Sequence, residues 1–173
     1  NRDAQAVRFD TVVTNNYYLD ASLIAPDAES FAFSSLQGGA YALGKDYSCL
    51  PITSEFDRDN YMGLKGNPDT IAPVAPHTRR GGAIPLVNLW MKEMGMAIAH
   101  VEPKVVHAGF PVSTLPDGRV NVRMIELPRK KLEPGETYQT VRSAVFVHTL
   151  DYFEPLSTYG DMLMDHAVEI KHA

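Results

Sequence analysis

Alternation with a period of two residues, broken at short intervals by turn residues, constrains this chain more than any other feature. Val7, Phe9, Thr11 and Val13 alternate with Ala6, Arg8, Asp10 and Val12. Phe31 and Phe33 share one face of a further strand, and Val120, Val122 and Met124 alternate with Asn121, Arg123 and Ile125. Successive side chains of a strand point to opposite faces, so this pattern suits strands with one buried face. Thr14-Asn15-Asn16, residues 25–30, 115–119 (Leu-Pro-Asp-Gly-Arg) and 132–136 (Leu-Glu-Pro-Gly-Glu) carry turn chemistry. Many short strands with regular turns predict a mainly β protein, an antiparallel β-sandwich.

Two segments depart from the pattern. Residues 53–82 hold three prolines and four glycines with no sustained periodicity, and are expected to form a long loop within a β domain spanning 1–150. A loop of that length in a compact domain is usually functional or disordered. The second exception is a C-terminal helix. Asp151 and Glu154 have capping-box spacing, and Pro155 falls in the first turn, where its missing N–H costs nothing. Phe153, Leu156, Tyr159 (or Gly160) and Leu163 then make one apolar stripe. Between these exceptions, Ile84 to Met91 and Met96 to Val101 are expected to pair as a hairpin around a turn at 92–95 containing Gly95, and Tyr138 to His148 to form the last strand.

Composition narrows the functional classes. At 173 residues and 45% hydrophobic content the chain suits one domain with a sizeable core. A net charge of −5 gives no footprint for nucleic acid, and no apolar run approaches the ~20 residues of a membrane span. The single cysteine, Cys49, excludes an internal disulfide. Nothing in the sequence assigns a compartment.

Four kinds of chemistry could use these residue types. His100 and Glu102 would share a strand face with His107 nearby, as a cupin-like metalloprotein would want, but the His-x-His pair is missing and Glu102 precedes a proline. No metal or cofactor is expected. Cys49 lacks a glycine-flanked elbow and reads as a small core residue. Asp57 and Asp59 straddle Arg58, yet many loop pairs of carboxylates would do the same, so no catalytic residue is assigned. Sugar contact is the remaining reading. An aromatic ring supports the apolar face of a sugar, while Asp, Asn or Arg pairs with its hydroxyls. Asp57, Arg58, Asn60 and Tyr61 in the long loop are such residues, as is Trp90, whose other reading is a core anchor.

The segments Asn60-Tyr61-Met62-Gly63, Gly81-Gly82 with Ala83-Ile84-Pro85, the Trp90 strand, the Gly95 turn, Ala99-His100-Val101-Glu102, Leu132-x-Pro134-Gly135-Glu136 and His148-Thr149-x-Asp151-Tyr152-Phe153 stand in a distinctive order. Over about residues 40–170 that order resembles the N-terminal β-sandwich of the α-galactosidase-like glycoside hydrolases, family 36 and its relatives. The resemblance implies a supersandwich-like domain, with 151–173 as a helix and linker toward a (β/α)8 barrel. That barrel would carry the two catalytic aspartates, so this chain alone is expected to be inactive. The loop at 56–61 would border the sugar pocket. Implied partners are a carbohydrate and the barrel of the same protein, with a second copy of the chain as a further candidate. The alternative readings are a stand-alone carbohydrate-binding module and the cupin-like metalloprotein.

Overall fold

The structure is a computed structural model that describes residues 1–20, 31–36, 47–59, 84–91, 94–101, 108–149, 151 and 153–164. Its strands are β1 (Val7–Phe9), β2 (Val12–Asp20), β3 (Phe31–Leu36), β4 (Tyr47–Pro51), β5 (Asp57–Asp59), β6 (Leu86–Met91), β7 (Met94–His100), β8 (Ala108–Gly109), β9 (Pro111–Thr114), β10 (Arg119–Glu126), β11 (Lys130–Leu132) and β12 (Ser143–His148). Among the described residues one helix, α1 (Glu154–Met164), follows them.

These strands build a β-sandwich-like fold. The first sheet has the order β2-β10-β9-β5, with β8 also on β10, and the second has the order β12-β7-β6-β3-β4. Every pairing is antiparallel. A small ribbon of β1 and β11 completes the set. The inward residues of both sheets meet in one core. Phe31, Phe33, Val87, Leu89 and Ile98 come from the second sheet, and Val112, Val120, Val122 and Met124 from the first. Phe110, between β8 and β9, is fully buried among them. Burying side chains of this size contributes about 1.5–3 kcal/mol each.

The second sheet is covered on its outer face as well. Leu86, Ala99 and Val101 form a second cluster with Tyr159, against which Leu156, Met162 and Leu163 of α1 also pack. With both faces buried, β6 and β7 read as continuous apolar runs rather than alternating ones. The helix starts as its sequence suggests. Asp151 Oδ1 accepts a hydrogen bond from the Phe153 amide at 2.8 Å, satisfying one of the free donors of the first turn.

Several local expectations are corrected. Asn15 and Asn16 do not turn the chain; they lie within β2. Met124 pairs with Asn15 but Ile125 with Val13, so Thr14 is a bulged extra residue, and its hydroxyl donates to the Met124 carbonyl at 3.2 Å. A bulge absorbs the irregularity that a polar run would otherwise resolve as a turn. The strand expected from Tyr138 begins only at Ser143. Glu126, 1% exposed, holds the preceding segment by accepting from the Tyr138 hydroxyl at 2.6 Å and the Val141 amide at 2.9 Å. Phe153, expected in the helix stripe, is 50% exposed. Cys49, expected in the core, is exposed on the edge strand β4, although partial desolvation raises its thiol pKa. The turn at 115–119 is as expected, with Gly118 at φ +83° and its amide bonded to the Leu115 carbonyl.

Candidate functional site

The candidate sugar-contacting residues begin at β5, the edge strand of the first sheet. The segment expected to be loop from residue 53 opens by pairing there. Asp57 lies opposite Ser113, and Arg58 opposite Val112. The approach is fixed by the Thr114 amide donating to the Phe56 carbonyl at 2.8 Å and the Thr114 hydroxyl donating to the Thr53 carbonyl at 2.7 Å. Adjacent residues of a strand face opposite ways, so Asp57 and Arg58 part company. Asp57 is exposed. Arg58 is 8% exposed and turns inward with Val112. Its guanidinium carbon lies 5.3 Å from the centre of the Phe33 ring, which in turn sits 5.6 Å from the Phe56 ring. A guanidinium over an aromatic face gains about 0.5–2 kcal/mol. The geometry therefore makes Arg58 a stacking partner of the core.

Trp90 belongs to the other sheet. It alternates with the inward Leu89, so it faces outward, between Ala32 of β3 and Gly95 of β7. These two small neighbours leave its ring half-buried. Asp57 and Trp90 thus stand on the outward faces of two different sheets, on opposite sides of the sandwich. Asn60 and Tyr61 lie outside the described residues. Of the proposed metal set, His100 is 3% exposed, while Glu102 and His107 lie outside the described residues. Among the described residues no group of three or more His, Cys, Asp or Glu side chains could hold a metal ion.

Sequence reasoning missed a buried polar chain on the outer face of the second sheet. The Asn88 amide nitrogen donates to Ser34 Oγ at 3.1 Å, and Asn88 Oδ1 lies 2.9 Å from His148 Nε2. Ser34 and Asn88 are fully buried and His148 is 7% exposed. His148 ends β12, at an open cleft of about 300 Å³ lined by Phe146, Val147, Thr149, Glu154 and Thr158. Two signals pointed to this chain: an asparagine in the middle of the apolar run from Ile84 to Trp90, and Gly95. The glycine was expected in a turn, but it lies within β7. A glycine inside a strand often marks a close approach, and here the His148 ring lies over it.

The first sheet also presents a polar outer face. Tyr18 is 53% exposed, with the Arg119 guanidinium 5.0 Å from its ring centre. Beside it, the Asn121 amide donates to Asn16 Oδ1 at 2.7 Å. Asp117 receives Arg119 at 2.7 Å, and this hydrogen bond holds the Asp117 carboxyl below its ordinary pKa. No protein-family model matches this chain, and no curated protein matches it.

Proposed function

We propose that this chain is the N-terminal β-sandwich of a glycoside hydrolase acting on α-galactoside-like sugars. In this reading the domain braces a (β/α)8 barrel that carries the catalytic carboxylates, and lends Asp57 to the edge of the sugar site. The observation that carries the reading is the fold itself. It is an antiparallel sandwich with a C-terminal helix packed on its second sheet, the architecture that the resemblance implies. Asp57 suits the role because β5 is pinned by its ladder to β9 while the carboxylate stays exposed. A carboxylate on a fixed strand accepts from sugar hydroxyls without losing much loop entropy.

In the parent enzyme, Asp57→Ala should lower kcat/KM for an aryl α-galactoside by about 10- to 150-fold, since a hydrogen bond to a charged group contributes about 1.5–3 kcal/mol. The melting temperature should stay within a degree or so, because an exposed side chain leaves no cavity. Unchanged kinetics would remove Asp57 from the sugar site.

A second reading, a carbohydrate-binding module, is favoured by one observation. Tyr18 gives the outer face of the first sheet a solvent-facing aromatic, flanked by the amides of Asn16 and Asn121. Galactose or galactan retention by the 173-residue chain, lost in Tyr18→Ala, would favour it over the first.

A further inference from the structure

We propose that Ser34, Asn88 and His148 form a latch that fixes the register of β12 and thereby the point from which α1 docks. The three residues sit on β3, β6 and β12 and share the outward face of the second sheet. The His148 backbone pairs with β7, its immediate neighbour, while its side chain goes further. It reaches across that strand to β6, passing over Gly95, its own register partner. A β-carbon at Gly95 would stand 2.2 Å from His148 Nε2 and 3.0 Å from Asn88 Oδ1. The chain of hydrogen bonds therefore needs a glycine at this position. With the Asn88 amide nitrogen donating to Ser34 Oγ, its Oδ1 is the atom facing the ring, and the latch then requires a hydrogen on His148 Nε2.

The need for such a latch follows from the sequence of β12. This strand lies at the edge of its sheet. Its Ala144 and Phe146 pack toward α1, but Val145 and Val147, on the other face, are also apolar and are 39% and 66% exposed. Register is set by contrast between faces, and a slip of one residue exchanges them. Residues 144–147 offer no such contrast, so hydrophobicity alone specifies β12 weakly. The directional bond to Asn88 supplies the missing information, because a slip would turn His148 to the wrong face and strand a fully buried amide oxygen. The helix inherits this setting. His148 lies three residues before the cap Asp151, and α1 docks on Leu86, the neighbour of Asn88 along the same face of β6. The inference is independent of the sugar reading.

Hydrogen exchange on the 173-residue chain tests it. In His148→Ala, amides of β12 and α1 should exchange at least about tenfold faster, while those of Val120 to Met124 in β10 keep their protection. Gly95→Ala should reproduce the pattern by expelling the ring. Adding Gly95→Ala to His148→Ala should then change the rates less than about twofold, since the methyl no longer meets an imidazole. Ser34→Ala, the mildest change, should show the same pattern at smaller amplitude and keeps the test available if Gly95→Ala fails to fold. Nitrogen NMR of His148 should report the Nε2–H tautomer. A uniform rise across β10, β12 and α1 would reduce the chain to ordinary packing and overturn the proposal. So would unchanged exchange, or additive effects in the double variant.

Discussion

Replacing Tyr159 by alanine should unseat α1 from the second sheet. Tyr159 keeps only 6% of its surface exposed and packs in one cluster with Leu86, Ala99 and Val101. Desolvation there also raises its phenol pKa. Truncating a buried aromatic costs about 3–5 kcal/mol. With solvent on the far side of the helix, the lower end applies, about 3 kcal/mol. In a chain of this size each 1 kcal/mol moves the melting temperature by about 2–4 °C, so a fall of about 6–12 °C is expected. Phe153 belongs to the same stripe in the sequence, yet it is half exposed, and Phe153→Ala should cost under about 1 kcal/mol. Asp151→Ala removes the cap bond to the Phe153 amide, worth about 1 kcal/mol. Equilibrium urea unfolding gives the order directly, followed by circular dichroism and by fluorescence of the single tryptophan, Trp90. If Phe153→Ala matched Tyr159→Ala, or Asp151→Ala exceeded it, the helix would dock by some other face.

Two further outcomes follow from the core. Arg58→Ala should destabilise the sandwich by about 1–3 kcal/mol, because it removes both the guanidinium–Phe33 contact and the packing of its stem, whereas Asp57→Ala should not; thermal melts of the two variants separate them. Tyr138 gives an alkaline signature: burial, and then its hydrogen bond to Glu126, push its phenol up to about 12. Because the folded value is raised above the ordinary 10, this contribution is intact below about pH 10 and is lost as the pH rises toward about 12. Melting temperature should fall through that window more steeply in the native protein than in Tyr138→Phe, and equal slopes would contradict the assignment.

The residues whose environment is set locally were legible in the sequence. Val120, Val122 and Met124 alternate into the core as the pattern requires, the 115–119 turn places Gly118 at positive φ, and Asp151 caps α1. The residues that misled are those decided by a neighbouring strand. Asn15 and Asn16 resemble a turn, but β10 recruits them into a bulged pair. Gly95 resembles a hairpin residue, but it makes room for a histidine from β12. Arg58 resembles a surface charge, and Phe33 on the opposite sheet draws it inward. Cys49 looks apolar enough for a core, but its strand is an edge. Strand preferences depend on cross-strand packing and burial more than on the backbone, so a single sequence exposes the period of a sheet and hides its partners. The same reason scattered the candidate site. Asp57, Arg58 and Trp90 are defined by which face they occupy, and face follows from register.

Hydrolysis of a chromogenic α-galactoside tests the proposed function most directly, measured on the barrel-bearing protein that the proposal requires and on the 173-residue chain side by side. Under the proposed function, turnover is expected from the barrel-bearing protein, weakened by Asp57→Ala with the melting temperature preserved, and none from the chain alone. Turnover by the isolated chain would place catalytic groups within this sandwich and contradict the account. Inactivity of that barrel-bearing protein across α-galactosides would remove the hydrolase reading altogether.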